Sequence, residues 1–183
     1  MAGRDRSTRH ASARAAAAAL TDNLPMLTLL ACSLLWLQST ASPPSATVKV
    51  FGAVARPTTF SAAEIAAMPR TEISATSHNQ AGKYAGPSMR ELLTRVGVPT
   101  GADLRGAELA KTVIVTGADG YKVAFAIAEF DPSFTERNCI LADQKNGAPL
   151  PANAAPFQII LSGEVRPARW VRQVVSIEVR PAP

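Results

Sequence analysis

Residues 111–127, KTVIVTGADGYKVAFAI, limit what this chain can fold into more than any other stretch. Two runs rich in β-branched and aromatic residues flank the tetrapeptide GADG, and an Asp-Gly pair between such runs is typical of a tight hairpin. The stretch therefore predicts two antiparallel strands. A lone hairpin is barely stable in water, so the chain has to supply further strands and a core for it to pack against.

Several other stretches also have strand-like composition, and the helices between them are short. Ser61 with Glu64 and Ser88 with Glu91 have the spacing of capping boxes, which predicts helices over residues 61–68 and 88–97. Because no βαβ repeat is seen, we expect an α+β domain built on a mixed, mainly antiparallel sheet. The remaining predicted elements are strands over residues 48–54, 71–77, 139–143, 157–161 and 169–179, a loop over residues 78–86 and a tight turn at Asn146-Gly147.

The N-terminal segment has the pattern of an export signal. A basic stretch precedes an apolar run over residues 24–37, and Ser39 and Ala41 are the small residues that a cleavage site requires. We therefore predict cleavage after Ala41 and a periplasmic or secreted protein. The predicted organisation is a signal peptide over residues 1–41, a linker over residues 42–47 and one domain over residues 48–183.

Two alternatives to a cleaved signal peptide stay open. The sequence LLAC, ending at Cys32, resembles a lipoprotein cleavage box, and an uncleaved membrane anchor is the other alternative, although about 20 apolar residues are needed to span a bilayer. No Arg-Arg pair opens the segment, which favours export of the unfolded chain. Cleavage after Ala41 leaves Cys139 as the single cysteine, so no internal disulfide is expected.

Composition and motifs exclude several classes of function. The formal net charge of +5 is inflated by four N-terminal arginines, and no Lys/Arg run is interleaved with aromatic residues, so a nucleic-acid partner is not expected. The sequence has no GxSxG, HExxH, CxxC, Walker A or GxGxxG motif. With two histidines, His10 and His78, a histidine-rich metal site is excluded. We assign no catalytic residue and no metal ligand.

The segment SGEVRPARWVRQV, residues 162–174, places three arginines around one tryptophan, Trp170. Guanidinium groups offer planar forks of donors that suit phosphates and heterocycle carbonyls, so Arg166 and Arg169 are candidates for an anion- or ring-binding site. In an alternating strand, Trp170 and Arg172 would face away from Arg169. Trp170 is then either a core anchor or a stacking platform, and Arg172 is a surface residue.

Five stretches, in order, carry a resemblance to a known family. They are GAVARPTTFSAAEIAAMP, YAGPSMRELLTRVGV, ADGYKVAFAIAEF, ILADQKNGAPL and FQIILSGEVRPARWVRQVVSIEV. From Val48 to Val179 the chain resembles the molybdopterin-binding domain of the sulfite oxidase family, in a short single-domain exported form. The resemblance implies a sheet-rich α+β fold whose loops wrap the pterin and phosphate of a cofactor. It also implies that Arg166 and Arg169 contact that cofactor.

The sequence departs from that family at the position of the metal-binding cysteine. The enzymes of the family hold molybdenum through a cysteine thiolate on the loop after the strand that matches residues 71–77. Residues 68–97 of this chain contain no cysteine, and Thr76, Ser77 and His78 stand in that neighbourhood. A hydroxyl or imidazole matches soft metal coordination poorly.

The lost thiolate and the export signal together resemble periplasmic pterin-binding proteins that report pterin levels to membrane sensors. The resemblance thus implies a non-catalytic domain that binds a metal-free pterin, with the periplasmic domain of a membrane cyclic-di-GMP or kinase sensor as its partner. One alternative is a molybdenum cofactor-dependent oxidoreductase, or its subunit, with an unusual metal ligand. A protein–protein module without a ligand is the other, and whether the chain is an enzyme stays open.

Other polar and aromatic residues complete the candidate site. His78 and Asn79 lie on the predicted loop, where they offer donors and acceptors to a pterin. Tyr84 either stacks on the ligand or packs in the core, and Asp119 either serves the GADG turn or pairs with a pterin's amino and ring N–H groups. The full predicted pterin- or anion-binding set is Arg169, Arg166, His78, Asn79, Tyr84, Asp119 and Trp170.

Four residues outside that set also receive expectations. Cys139 is expected to be a small buried residue. Glu129 and Asp131 are expected to be solvated charges, and Asp143 is expected to hold one of the arginines.

Overall fold

A computed structural model describes residues 46–77 and 80–182 of the chain. The predicted signal peptide, its cleavage site and most of the linker lie outside the described residues, and so do His78 and Asn79. Within the described part, no helix is long and apolar enough to cross a membrane.

The domain is dominated by short strands, with two short α-helices. The helices are α1 (Ala62–Ala66) and α2 (Met89–Arg95). The strands are β1 (Thr47–Gly52), β2 (Thr58–Ser61), β3 (Thr71–Ser77), β4 (Gln80–Gly86), β5 (Thr112–Gly117), β6 (Lys122–Ala126), β7 (Cys139–Ala142), β8 (Gln144–Lys145), β9 (Ala148–Pro149), β10 (Gln158–Leu161) and β11 (Val174–Arg180).

The strands form three sheets. A five-stranded sheet has the order β2-β1-β11-β5-β6, in which only β1 and β11 run parallel. A four-stranded antiparallel sheet has the order β3-β4-β8-β9, and β7 and β10 form an antiparallel pair. This arrangement confirms the predicted α+β class with a mixed, mainly antiparallel sheet.

Local sequence signals account for the helix starts and the main hairpin. The Ser61 hydroxyl accepts from the Glu64 amide and the Glu64 carboxylate accepts from the Ser61 amide, as a capping box requires. At α2 one half of this pattern is present, since the Ser88 hydroxyl accepts from the amide of Glu91 at 3.1 Å. Strands β5 and β6 pair antiparallel around the GADG turn. All three predictions are confirmed.

The core lies between these sheets and helices. Its largest fully buried side chains come mainly from both helices and from strands β6, β7, β10 and β11, so elements far apart in the chain pack into one core. They are Phe125, Phe157, Ile65, Met89, Leu92, Ile127, Ile140, Leu141, Ile159, Ile160, Leu161 and Ile177.

The predicted loop over residues 78–86 is wrong, because residues 80–86 form β4 at the centre of a sheet. Gly86 lets this strand approach the backbone of β7 closely. A Cβ at Gly86 would lie 2.1 Å from the carbonyl oxygen of Leu141. Glycine is therefore required for backbone proximity there, not for a turn.

The predicted strand over residues 169–179 is also wrong in its first half. Residues Pro167–Arg169 form a 3-10 helix, and β11 begins only at Val174. Gln173 has a φ of 49°, which interrupts extended backbone directly before β11. The strand alternation that placed Trp170 and Arg172 on one face therefore does not apply.

Candidate functional site

Two of the three arginines around Trp170 line one surface cavity. This first cavity has a volume of about 530 Å³, and Arg166 and Arg172 both border it. Its other described lining residues are Thr76, Glu164, Val165, Pro167 and Ala168. Sequence reasoning assigned Arg172 to the general surface, so the structure adds a residue that the predicted site lacked.

The backbone on either side of the 3-10 helix holds the two arginines in place. The amide of Trp170 donates to the carbonyl oxygen of Pro167 at 3.1 Å, which closes the short helix after Arg166. The amide of Ile159 in β10 donates to the carbonyl oxygen of Val171 at 2.9 Å. Arg172 thus directly follows Val171, a buried residue whose carbonyl oxygen is bonded to β10. This bond fixes the backbone from which the Arg172 side chain extends.

Arg169 has a different environment from its two neighbours. Its guanidinium donates to both oxygens of Glu164 and, at 2.8 Å, to Oε2 of Glu129, and it lies 5.2 Å from the centre of the Phe125 ring. These hydrogen bonds, the one to Glu164 first, raise the pKa of Arg169. The guanidinium of Arg169 is thus paired with two carboxylates of the domain itself, and its contact with a ligand stays a prediction.

The expectation that Glu129 and Asp131 are solvated charges is wrong. Glu129 accepts from Arg169 and from the amide of Ala126. Asp131 is only 2% exposed, and it accepts from the amides of Gly101 and Ser133. Both carboxylates serve the structure of the domain.

The charge balance at the first cavity favours an anion. Within residues 46–77 and 80–182, neither Arg166 nor Arg172 forms an ion pair with a carboxylate. The one carboxylate on the cavity wall, Glu164, is matched by Arg169 and lies 3.6 Å from Nη1 of Arg137. Two positive charges are therefore left to meet a negatively charged ligand.

A second, smaller cavity of about 230 Å³ adjoins the same segment. It shares Pro167, Ala168 and Arg172 with the first cavity. Its remaining described lining residues are Asp119, Tyr121 and Trp170. The structure thus brings the predicted residues Asp119, Trp170 and Arg166 to two neighbouring concavities.

Trp170 and Tyr84 belong mainly to the core. Trp170 is 4% exposed and meets the buried ring of Tyr84 edge to face, with ring centres 5.7 Å apart. The indole N–H of Trp170 has no hydrogen-bond partner among the described residues. Of the alternatives left open, the structure favours a core anchor for Trp170 and packing for Tyr84, although Trp170 also reaches the wall of the second cavity.

The predicted contributions of His78 and Asn79 cannot be placed, because these residues lie outside the described part of the chain. Thr76, two positions before His78, does border the first cavity. The contributions of His78 and Asn79 therefore stay predictions.

The sulfur chemistry of the described residues does not suit metal binding. Cys139 lies in β7, is buried, and burial raises the pKa of its thiol, so a thiolate is disfavoured. No group of three or more His, Cys, Asp and Glu side chains in the described part of the chain is arranged to hold a metal ion. Asp143 pairs with Arg70. In the described part of the chain it does not hold one of the arginines around Trp170, contrary to the expectation.

The structure is thus a sheet-rich domain with an arginine-lined cavity. A family model described as "Oxidoreductase molybdopterin binding domain" matches residues 37–183. The chain belongs to this family, and family membership implies a molybdopterin cofactor.

A solved structure shows the same fold. The sulfane dehydrogenase SoxCD from Paracoccus pantotrophus matches with a TM-score of 0.59 and 18% sequence identity. The match covers 73% of this chain and 38% of that chain. At this identity the likeness concerns the fold alone. None of the curated protein sequences matches the chain.

The described residues fit one part of a molybdopterin and not the other. Arg166 and Arg172, on the first cavity, suit the phosphate of the cofactor. Asp119 and Tyr121, on the neighbouring second cavity, are polar side chains that suit the pterin. A molybdenum ion would take a thiolate as its protein ligand by family resemblance, and the one cysteine in the described residues is buried in a core strand.

Proposed function

We propose that this chain is a domain that binds a phosphorylated pterin and performs no redox chemistry of its own. The observation that carries the proposal is the position of Arg166 and Arg172 on one cavity, with no carboxylate partner for either in the described residues. The cavity is within the range of volumes usual for small-molecule sites. Planar guanidinium groups bind phosphate through two parallel hydrogen bonds, which the ammonium group of a lysine does not provide.

The metal-free character of the ligand is supported by the donor set. Neither Cys139, which is buried, nor Thr76, which borders the first cavity, offers molybdenum a thiolate from that cavity. A pterin without metal needs only hydrogen bonds and an anion site. The proposed role is therefore binding and presentation of the pterin.

The proposal is tested by analysing what the purified protein carries. The full chain is denatured, released small molecules are identified by mass spectrometry, and molybdenum is measured in the same sample. We expect a near-stoichiometric pterin phosphate without molybdenum. Protein that carries no pterin, and takes up none when titrated with pterin phosphates, would overturn the proposal.

Single arginine variants locate the site. Arg166→Ala and Arg172→Ala each remove a charge-assisted contact worth about 1.5–3 kcal/mol, so each is expected to weaken pterin binding roughly 10- to 100-fold. Arg105→Ala is the matched control, because Arg105 is exposed and borders neither cavity. Equal affinities in all three variants would place the ligand elsewhere.

A second candidate function is a molybdenum cofactor-dependent oxidoreductase, or a subunit of one. The observation that favours it is membership of the molybdopterin-binding family. Stoichiometric molybdenum in the denatured sample would establish this candidate in place of the first.

We further propose that the domain is exported and presents its ligand to a membrane sensor. The N-terminal export pattern supports the location, and Val165, which is 97% exposed beside Arg166, gives the cavity rim an apolar contact point. The test is co-purification with the periplasmic domain of a cyclic-di-GMP or kinase sensor, with and without pterin. A partner that binds the Val165→Asp variant equally well would argue against this rim.

A further inference from the structure

A third cavity, of about 190 Å³, lies at the opposite end of β3 from the arginine-lined first cavity. Thr71, the first residue of β3, borders the third cavity, whereas Thr76, near the end of the strand, borders the first. The third cavity shares no described lining residue with the first or the second, so it is a separate candidate site. Its polar side chains come from Thr71, Ser88, Arg90, Arg137 and Asn138.

The backbone around the third cavity is held in place on two sides. Ser88, the N-cap residue of α2, forms a β-bridge with a residue of β7, and Arg90 follows two positions later. On the other side, the amide of Asn138 donates to Oγ of Ser162 at 2.8 Å, and the Asn138 carbonyl oxygen accepts from the amide of Ser162 at 2.9 Å. Arg90 and Arg137 therefore extend from fixed backbone on two different elements.

Both guanidinium groups on this wall make only long contacts in the described part of the chain. Nε of Arg90 lies 3.4 Å from Oδ2 of Asp131, and Nη1 of Arg137 lies 3.6 Å from Oε1 of Glu164. Arg90 makes one further contact, from Nη2 to Oγ1 of Thr100, at 3.5 Å. Charge-assisted N–H···O bonds are normally about 2.7–2.9 Å long. Arg90 and Arg137 thus retain most of their capacity to donate hydrogen bonds.

The two carboxylates near these arginines have closer partners. Asp131 accepts from the amides of Gly101 and Ser133 at 2.7 and 2.9 Å, and Glu164 accepts from the guanidinium of Arg169. Neither carboxylate borders the third cavity. An anion bound by the two arginines would therefore leave the main partners of Asp131 and Glu164 in place.

The other groups on the wall also suit an anion. Oγ of Ser88 accepts from the amide of Glu91, so its O–H group can donate to a ligand, and the Thr71 hydroxyl and the Asn138 side-chain amide are further donors. No aspartate or glutamate is among the residues that the structure places on this wall. The Cys139 thiol, also on the wall, stays neutral because burial raises its pKa. The third cavity thus combines positive charge with hydroxyl and amide donors.

We propose that the third cavity binds a tetrahedral oxyanion, either free phosphate or sulfate or the phosphate group of a small monoester. The oxygens of such an anion point in several directions, so they can accept from Arg90 on α2 and from Arg137 before β7 at the same time. Sites for drug-sized ligands usually measure about 300–1,000 Å³, and a cavity of about 190 Å³ suits a smaller one. This inference does not rest on the proposed function, because the third cavity shares no described lining residue with the other two.

Calorimetric titration of the full chain at low, constant ionic strength tests this site. Sodium phosphate and sodium sulfate are titrated separately, and sodium nitrate, a planar anion with a single charge, is the comparison. We expect phosphate and sulfate to bind about tenfold more tightly than nitrate, or better. Because Arg166 and Arg172 also attract anions, the titrations are repeated with Arg166→Ala, in which saturable phosphate binding is expected to remain.

Variants of the two arginines locate the anion. In the Arg166→Ala background, Arg137→Ala and Arg90→Ala are each expected to weaken phosphate binding about tenfold or more. Arg137→Ala removes only one long contact, so the fold is expected to persist, as thermal unfolding checks. Arg90→Lys keeps a positive charge near Asp131 without the planar fork, and is expected to weaken binding less than Arg90→Ala. Arg105→Ala is the matched control, because Arg105 is exposed and borders none of the three cavities.

Three results would overturn the proposal. They are wild type that binds neither phosphate nor sulfate, phosphate binding that disappears in Arg166→Ala, and equal affinities in the Arg137→Ala and Arg105→Ala variants. Glycerol 3-phosphate distinguishes the two sources of the oxyanion. Binding of this ester at least as tight as that of phosphate supports a monoester ligand, and rejection of the ester supports the free ion. The pterin proposal is tested by its own ligand analysis and stands or falls separately.

Discussion

Arg169 donates two hydrogen bonds to the carboxylate of Glu164, one of them from Nε at 3.3 Å, and so closes the loop between them. Val165 and Arg166 lie inside this loop. Glu129, 40 positions earlier in the chain, accepts from the same guanidinium and anchors it to the 3-10 helix Ile127–Phe130. The pairing makes Arg169 a positioning residue for the cavity wall that carries Arg166.

The first prediction concerns the stability that this pairing provides. Arg169→Ala leaves Glu164, whose side chain is 12% exposed, without its main partner, and we expect the free energy of unfolding to fall by about 1–3 kcal/mol. Chemical denaturation measures the change. Arg180→Ala, which breaks the more exposed pair with Glu178, is the control and is expected to cost under about 1 kcal/mol. Equal losses in the two variants would show that Arg169 has no special structural role.

Much of the fold was predictable because its signals are local. The GADG hairpin, the two capping serines and the Asn146-Gly147 turn depend on residues within a few positions of one another. Asn146 and Gly147 both have positive φ, as such a turn requires. Strand β4 was missed, and its Gly86 serves a contact with Leu141, more than 50 positions away, which no local pattern can reveal.

The candidate site was predicted in part for the same reason. The segment 162–174 was singled out for its arginines, and two of them, Arg166 and Arg172, line the first cavity. Which of these arginines is paired depends on contacts that the fold creates. Glu129 and Glu164 pair with Arg169, and within the described residues they form no ion pair with Arg166 or Arg172. The backbone breaks at Gln173, whose φ is 49°, and Pro167 gives no signal of this because it precedes the predicted strand.

The second prediction is that the thiol of Cys139 is unreactive in the folded protein. Cys139 is buried and its pKa is raised by that burial, so little reactive thiolate forms at neutral pH. Alkylation of the native chain, followed by peptide mass mapping, is expected to label Cys139 only after denaturant is added. Rapid labelling without denaturant would mean that β7 opens readily and that the cysteine is accessible.

The third prediction compares two glycines of the same strand. Gly86→Ala places a Cβ against the backbone of Leu141, which cannot move without disturbing β7, and we expect a loss of about 3 kcal/mol or more. In Gly82→Ala the nearest atom to the new Cβ is the Cε of Lys145, at 2.8 Å and at the flexible end of a side chain, so the cost is expected to stay near about 1 kcal/mol. Denaturation curves of both variants decide the matter, and a smaller loss at Gly86 would contradict the packing described for β4.

The fourth prediction concerns Asp131 and acid stability. Burial alone would raise the pKa of this carboxyl, but hydrogen bonds from the amides of Gly101 and Ser133, with the Arg90 guanidinium 3.4 Å away, lower it below its ordinary value. An unfolded aspartate titrates near pH 3.9. Because the pKa in the folded state is the lower one, the stabilisation is fully present above about pH 4 and is lost as the pH falls through the folded pKa.

Replacement of Asp131 separates this contribution from that of other carboxylates. Asp131→Asn removes the charge but keeps a polar side chain, and at pH 7 it is expected to lower the free energy of unfolding by about 1–3 kcal/mol. The difference from wild type is expected to shrink as the pH falls below about 4, since wild type then loses the same charge. Unfolding free energies measured from pH 7 down to pH 2, with the exposed Asp103→Asn variant as control, check the sign. A difference that stays constant over this range would show that the Asp131 charge does not support the fold.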